Sequence, residues 1–132
     1  MTELPEFART LVDAGHVVAL ATVNPDGSPQ TSPVWVDRDG ADVLVSTAAG
    51  RRKVTNVERD PRVSLTVWDP ADDERYVEIR GTAVVEADPG RAFAIALGEK
   101  YDGPGGGDAF RDLPPDVTRV ILRVTPSRVV LG

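Results

Sequence analysis

The sequence predicts a mainly β fold, an antiparallel barrel of about six short strands with two or three peripheral helices. Three observations lead to this prediction. Short apolar runs rich in β-branched residues recur along most of the chain. Clusters of Gly, Pro, Asn and Asp separate these runs, often by only a few residues, which favours hairpins. The 132 residues contain no internal repeat or linker, so we expect one domain spanning residues 1–132.

The chain is predicted to begin with a helix and a β-hairpin. Residues 3–14 carry apolar side chains along one helical face, and Gly15 is placed to end the helix. Residues 17–23 and 30–36 are apolar or extended runs, and residues 24–27 between them have the composition of a tight turn.

A third strand and a second helix are predicted next. The turn residues 37–40 lead into a strand at 42–46, which completes an antiparallel meander. Residues 51–59 can form a short helix, because Pro61 disfavours helical backbone at the residue before it.

The remaining strands are predicted from apolar runs in the second half of the chain. Residues 63–68 and 76–86 form the next pair, and Gly81 permits a bulge or bend within the second of them. Residues 117–124 and 128–131 close the chain as strand.

A third helix and a long loop are predicted between these strands. Asp88 and Pro89 are a capping residue and a helix-starting residue, and residues 91–100 continue as helix. Residues 101–115 are rich in Gly and Pro, which predicts a loop without regular structure, either a lid or an ordered surface loop.

Composition restricts the possible classes of function. A net charge of −6 disfavours nucleic-acid binding, and the absence of cysteine excludes disulfides and thiolate chemistry. Redox chemistry would therefore need a bound cofactor. No apolar stretch approaches the roughly 18 residues of a membrane span, and the N-terminus lacks the pattern of a signal peptide. We therefore expect a cytoplasmic protein without a membrane partner.

The order of several short motifs resembles a known family. The chain is similar to the pyridoxamine-phosphate-oxidase-like split barrels, and among them to the F420-dependent reductases, particularly the small actinobacterial type B group. The resemblance covers nearly the whole length and is carried by Ala19 to Val23, Asn24 to Gln30, Ser32 to Val36, Val45 to Thr47, Arg51 to Val57, Tyr76 to Ala83 and Arg123 to Val129.

This resemblance implies a six- to seven-stranded antiparallel split β-barrel of the FMN-binding type, assembled as a homodimer. It implies the deazaflavin coenzyme F420 as cofactor, with FMN as the alternative. The ring would lie against the strand at residues 32–36, and the phosphate near the 46–53 region. The cofactor-binding residues implied are Gln30, Ser32, Pro33, Val34, Trp35, Ser46, Thr47, Arg51, Lys53, Asn56 and Tyr76.

The basic run Arg51, Arg52 and Lys53 is the strongest signal that is independent of the resemblance. These cations lie at the start of a predicted helix, where they meet the positive end of its dipole at a cost of about 0.3–1 kcal/mol each. A bound anion would resolve this conflict, and hydroxyls from Ser46 and Thr47 could complete a phosphate site. The alternative is a solvated basic surface.

Three residues near the expected ring allow more than one interpretation. Trp35 either stacks on a planar ring or packs in the core. Tyr76 suits a dimer interface, a ligand contact or ordinary packing. Pro33 has no backbone N–H, so ring contacts there must use its carbonyl or a neighbouring amide.

Other candidate sites have structural interpretations. His16 is the only histidine, so it cannot form a histidine-rich metal site and is expected to be structural; no metal site is predicted. The glycines at 105–107 lack the spacing of a phosphate loop and indicate loop flexibility. The acidic residues between 69 and 74 lack the ligand order of a calcium loop and indicate a solvated turn.

The resemblance implies hydride transfer from reduced F420 to a conjugated small-molecule acceptor such as a quinone, enone or tetrapyrrole. No side chain stands out as a general acid, so we assign no catalytic residue and expect solvent to supply the proton. Alternatives are an FMN-dependent oxidase or reductase, a non-catalytic F420 carrier and a flavin-responsive interaction module. Arg52 or Arg59 would favour F420 if they lined a groove beyond the phosphate, where its acidic arm would lie.

Overall fold

A computed structural model describes residues 2–132, which form a seven-stranded antiparallel sheet with helices at its periphery. None of the helices in this range is long and apolar enough to cross a membrane. In chain order the elements are α1 (Glu6–Asp13), β1 (Val18–Val23), β2 (Pro29–Val34), β3 (Val36–Asp39), β4 (Asp42–Ala48), α2 (Arg52–Arg59), β5 (Arg62–Asp69), β6 (Asp72–Ala87), a 3-10 turn (Pro89–Arg91), α3 (Ala92–Asp102), α4 (Asp108–Arg111) and β7 (Arg119–Leu131).

The sheet curls into a split barrel because its two edge strands belong to one bent segment. The strand order is β2-β1-β5-β6-β7-β4-β3, with every neighbouring pair antiparallel. Only Trp35 separates β2, which pairs with β1, from β3, which pairs with β4. The edges of the sheet therefore meet at Trp35, and the mainly β split-barrel fold expected from the sequence is confirmed.

Aliphatic side chains fill the interior of the barrel. Along β1 and β5 buried positions alternate with partly exposed ones, because successive side chains of a strand point to opposite faces. Leu20, Leu65, Ile79 and Leu122 are completely shielded from solvent and belong to one continuous core cluster. Burial of each such side chain stabilises the fold by about 1.5–3 kcal/mol, so the core cluster contributes much of the free energy that favours the curled sheet.

Two local predictions in the second half of the chain are confirmed. The pairing of β6 with β7 shifts register between Arg80 and Gly81, as expected for a bulge. A Cβ at Gly81 would lie 2.2 Å from the carbonyl oxygen of Thr125, so only glycine permits this approach. The Asp88 carboxylate accepts the N–H groups of Phe93 and Ala94 at 2.9 and 3.0 Å, which caps α3.

The predicted structureless loop at residues 101–115 is wrong. Helix α3 continues to Asp102, and α4 lies within the predicted loop. The Glu99 carboxylate accepts the amide N–H groups of Gly105 and Gly107 at 3.0 and 3.3 Å, and this contact orders the glycine-rich stretch. Glycine permits close packing here as well as flexibility, and composition alone does not distinguish the two.

Several further boundaries differ from the predictions. The predicted turn at residues 37–40 is mostly strand β3, because residues 36–39 pair with β4, and β6 begins at residue 72 rather than 76 because it pairs with the end of β5. Helix α1 begins at Glu6 rather than at residue 3, because Pro5 takes the extended backbone of an N-cap. The predicted strand at 30–36 is interrupted at Trp35, since its two parts pair with different neighbours. The predicted strands at 117–124 and 128–131 are one strand, β7, because β6 pairs with it on both sides of the bulge.

Candidate functional site

A cavity of about 430 Å³ opens beside the bend at Trp35, a size within the range of small-molecule sites. The bent segment, β4, the start of α2, both helices that follow β6, and the first residue of β7 contribute to its wall. Its lining residues are Ser32, Pro33, Val34, Trp35, Ser46, Thr47, Arg51, Lys53, Leu97, Phe110 and Arg119. Most residues predicted as cofactor contacts are therefore brought together around one cavity.

The cavity is positively charged although the chain as a whole is acidic. Arg51, Lys53 and Arg119 line it, and within residues 2–132 no lining residue is acidic. In the same range no carboxylate lies at salt-bridge distance from these three cations. Burial lowers the pKa of Lys53, and the positive charges of Arg51 and Arg119 lower it further. An anion placed here would relieve the mutual repulsion of the cations.

Helix α2 adds its N-terminus to this charge. The predicted short helix is present, with Arg51 as its N-cap residue. No side chain caps this end, and the first turn contains no acidic residue. Uncapped amide groups and the positive end of the helix dipole therefore act together with the cations, an arrangement found where helices bind phosphate.

Two buried polar atoms in the cavity wall have no hydrogen-bond partner within residues 2–132: the Ser32 Oγ and the Arg119 Nε. The other end of the same guanidinium is satisfied, since its Nη2 donates to the Ser46 Oγ at 2.8 Å. Buried polar groups are nearly always hydrogen-bonded in folded proteins. These two atoms are therefore candidates for hydrogen bonds to a polar ligand.

Trp35 is held in place by two other aromatic rings. It stacks on Tyr101 with ring centroids 4.6 Å apart and 9° between the planes, and it meets the edge of Phe110 at 6.3 Å. The Tyr101 hydroxyl accepts the Val36 N–H at 2.9 Å and donates to the His16 carbonyl at 2.8 Å. Because Tyr101 covers one indole face, a planar ligand can reach only the opposite face or the edge.

Gln30 and Asn56, both predicted as cofactor contacts, do not line the cavity. The buried Asn56 amide donates to the Thr22 Oγ1 at 3.0 Å and to the Asn24 Oδ1 at 3.1 Å. The Thr22 hydroxyl in turn donates to the Gln30 Oε1 at 2.8 Å. These bonds attach α2 to the β1–β2 hairpin, so the two residues hold the helix in place beside the cavity rather than lining it.

Tyr76 and the arginines Arg52 and Arg59 also lie away from the cavity lining. The Tyr76 ring lies against Gly132, and β7 runs from there to the cavity residue Arg119 at its opposite end. Arg59 donates to the Val23 carbonyl and the Asn56 Oδ1, so it belongs to the same attachment of α2. A contact of Tyr76 with the cofactor stays a prediction that requires a second protomer.

Sequence reasoning missed Leu97, Phe110 and Arg119. Arg119 faces the site because β7 pairs with β4, which places it opposite Ala48. No local pattern marks that pairing. Phe110 did carry a signal, since it is the one aromatic residue between 102 and 118, a segment rich in glycine, proline and acidic residues.

The remaining motifs have structural roles. The amides of Gly105 and Gly107 are occupied by the Glu99 carboxylate, so they are not available to cradle a phosphate. The predicted turn over the acidic run is confined to residues 70–71, because Asp69 ends β5 and pairs with Asp72 at the start of β6. The Asp69 and Asp72 carboxylates accept the backbone N–H groups of Ala71 and Glu74.

One protein family and several solved structures are similar to this chain. The family model described as Pyridoxamine 5'-phosphate oxidase matches residues 4–131. A solved structure named F420 Reductase is 34% identical, with 96% of this chain and 98% of that chain covered and a TM-score of 0.83. The conserved hypothetical protein Rv2991 from Mycobacterium tuberculosis is 26% identical, with 96% and 82% covered and a TM-score of 0.77. General Stress Protein 26 from Bacillus anthracis str. Sterne, 21% identical with 96% and 91% covered and a TM-score of 0.71, shares the fold.

Proposed function

Because the chain belongs to the pyridoxamine 5'-phosphate oxidase family, we propose that it is an oxidoreductase whose cavity binds the deazaflavin coenzyme F420. The observation that carries this proposal is the combination of a cavity lined by three cations without a salt-bridge partner among residues 2–132 and 34% identity to an F420 reductase over nearly the full length of both chains. FMN is the second candidate, because it also joins a flat ring to a phosphate and the same cations would attract it.

The cavity residues divide into two groups in this proposal. Arg51, Lys53 and Arg119, with the Ser46 and Thr47 hydroxyls, would hold the phosphate through charge-assisted hydrogen bonds. The segment from Ser32 to Trp35 would hold the ring, with the unpartnered Ser32 Oγ as one of its polar contacts.

The chain contributes binding and shielding to the chemistry. When bound, reduced F420 supplies a hydride to an electrophilic carbon of a conjugated acceptor of the quinone, enone or tetrapyrrole type. Leu97 and Phe110 give the cavity an apolar wall that would shield a bound ring from water, and the stack of Tyr101 on Trp35 fixes the orientation of the indole. We assign no general acid, and solvent supplies the proton in this proposal.

A parallel titration of the purified protein with F420 and with FMN tests the choice of cofactor. We expect F420 to bind at least about tenfold more tightly, equivalent to ~1.4 kcal/mol. Cofactor fluorescence gives both dissociation constants in one buffer. Equal affinities, or tighter binding of FMN, would reject the F420 assignment.

Turnover distinguishes an enzyme from an F420 carrier. The protein with reduced F420 and a quinone or an enone should oxidise many equivalents of F420 per protomer, observed by absorbance. Tight binding without multiple turnover on any acceptor of these classes would favour the carrier.

We further propose that the protein is a two-fold symmetric homodimer. Val84 and Leu131 are 57% and 56% exposed, and the aromatic Tyr76 is 39% exposed. Tyr76 and Leu131 lie close together where the start of β6 pairs with the end of β7, and contiguous exposed apolar surface is typical of interfaces. Light scattering at micromolar concentration should give twice the 14.1 kDa mass of one chain. A monomer that binds the cofactor normally would contradict this proposal.

A further inference from the structure

Arg91 has the most unusual backbone of the described chain, although it does not line the cationic cavity. Its φ of 58° and ψ of 25° are left-handed, and within residues 2–132 it is the one non-glycine residue with positive φ. This conformation is unfavourable for a residue with a Cβ, so neighbouring contacts must maintain it.

The guanidinium of Arg91 provides those contacts. All of its hydrogen-bond acceptors are backbone carbonyls in the segment that connects α3 to β7, defined here as the Phe110 segment, residues 103–118. Its Nη1 donates to Phe110 at 3.3 Å and to Leu113 at 2.8 Å, and its Nη2 donates to Pro114 at 2.6 Å and to Val117 at 2.8 Å. The planar fork of arginine matches this set of acceptors, which a lysine ammonium cannot reproduce.

The other half of the Phe110 segment is held against α3. The Glu99 carboxylate binds two of its amides, and a Cβ at Gly98 would lie 2.3 Å from the Gly106 carbonyl oxygen. The helix and the segment therefore pack backbone against backbone before Phe110, and Arg91 fixes the carbonyls from Phe110 onward.

Phe110 connects this attachment to the cavity. Its ring forms part of the cavity wall and meets the edge of Trp35. The Arg119 guanidinium lies 4.9 Å from the centroid of the same ring, a cation–π contact. A displacement of Phe110 would therefore disturb both Trp35 and Arg119, which line different parts of the cavity.

We propose that Arg91 is a positioning residue for this site, which fixes Phe110 as the wall of the cavity and so controls cofactor affinity without touching the cofactor. This inference rests on the proposed function. A second cavity of about 500 Å³ is lined by Arg91, Arg111 and Arg119, but it offers no independent anion site. The Nη groups of Arg91 are bound to carbonyls, and Arg111 is paired with Asp108.

Arg91→Gly is the most direct test, because glycine adopts left-handed backbone freely, so the side-chain contacts are removed without placing another Cβ in an unfavourable conformation. We expect the F420 dissociation constant to rise at least about tenfold. Amide hydrogen exchange in residues 108–118 should accelerate by a similar factor, while the rest of the sheet stays protected. Arg111→Ala is the matched control: it lies on the Phe110 segment, is exposed and does not contact these carbonyls, so affinity should change less than about twofold.

A double-mutant cycle separates positioning of Phe110 from a general loss of structure. Phe110→Ala alone should weaken F420 binding, and adding Arg91→Gly should then weaken it by less than about a further twofold, because the wall is already gone. Independent, multiplying effects would overturn the proposal, as would unchanged affinity in folded Arg91→Gly. If Arg91→Gly does not fold, Arg91→Lys replaces it in the cycle and should show a smaller loss of F420 affinity.

Failure of the cofactor assignment can be distinguished from failure of the proposal about Arg91. If the unmodified protein binds neither F420 nor FMN, the proposed function is wrong. The contact between Arg91 and Phe110 is then judged on the unliganded protein, from hydrogen exchange and the near-ultraviolet circular dichroism of the Trp35 cluster. Unchanged exchange and an unchanged spectrum in Arg91→Gly would reject it.

Discussion

Replacing Lys53 with alanine should raise the cofactor dissociation constant about tenfold or more, equivalent to ~1.5–3 kcal/mol for a charge-assisted contact. Lys53 is partly buried, lines the cavity and has no carboxylate partner among residues 2–132 that would take over its charge. Its attraction for the phosphate is expected to be equal before and during hydride transfer. The single-turnover rate at saturating cofactor should therefore change little.

Arg52→Ala is the matched control for this experiment. Arg52 is adjacent in sequence and exposed, but it does not line the cavity, so its removal should leave affinity nearly unchanged. Added salt should weaken binding to the unmodified protein more steeply than to Lys53→Ala, because one screened attraction is missing from the variant. Unchanged affinity in folded Arg51→Ala and Lys53→Ala proteins would return the cluster to a solvated basic surface and remove the main structural support for a phosphate-bearing cofactor.

The pKa of Lys53 adds a pH dependence whose sign follows from its cause. Burial, followed by the charges of Arg51 and Arg119, holds this pKa below the 10.5 of an ordinary lysine. A bound anion favours the protonated ammonium, so affinity is complete below the lowered pKa and falls as pH rises through it. Without ligand, the charged Lys53 opposes folding, and its deprotonation should stabilise the apoprotein between that lowered pKa and 10.5.

Lys53→Arg isolates this effect, because arginine stays charged throughout the alkaline range. The F420 dissociation constant, measured from about pH 7 to 10, should rise with pH in the unmodified protein and stay flatter in the variant. Burial raises the pKa of Tyr101, so the phenol that stacks on Trp35 remains neutral over most of this range. Parallel curves for the two proteins would show that Lys53 does not contact the anion.

Gly98→Ala should lower the free energy of unfolding by about 2–3 kcal/mol, although alanine is normally the better helix former by roughly 1 kcal/mol. A Cβ at this position would meet the backbone of Gly106 at 2.3 and 2.7 Å. A backbone carbonyl cannot move aside as the end of a flexible side chain can. Helix α3 and the Phe110 segment must then separate, which should also weaken cofactor binding through Phe110.

Urea unfolding of Gly98→Ala and of Ala96→Gly distinguishes this contact from helix propensity. Ala96 is exposed on the same helix, so Ala96→Gly should cost only the intrinsic difference of about 1 kcal/mol. A neutral or stabilising Gly98→Ala would mean that the backbones of α3 and the Phe110 segment are not in contact in solution.

Local sequence patterns were sufficient for the predictions that depend on residues close together in the chain. The turn at residues 24–27, the bulge at Gly81 and the cap at Asp88 follow from the backbone preferences of a few neighbouring residues. The mainly β class follows from repeated short apolar runs. The charge conflict at the start of α2 was also visible in the sequence, because the cations and the helix that follows them are contiguous.

Composition was not sufficient for the Phe110 segment. The same glycines that predicted a flexible loop allow its backbone to approach α3, and the contacts with Glu99 and Arg91 that order it come from other parts of the chain. The role of Asn56 also depends on contacts between distant parts of the chain, since its hydrogen bonds to Thr22 and Asn24 form only when α2 packs against β1.

The sequence by itself determined the fold class, the position of most turns and the basic end of α2, because these depend on periodicity and local backbone preference. Only the tertiary structure decided which residues share the cavity. Ser46 lies next to Arg119 because β4 pairs with β7, which is distant in sequence. Trp35 lies at the bend because the residues before it pair with β1 and the residues after it pair with β4. Such contacts depend on which strands become neighbours when the whole sheet closes, and no short stretch of sequence contains that information.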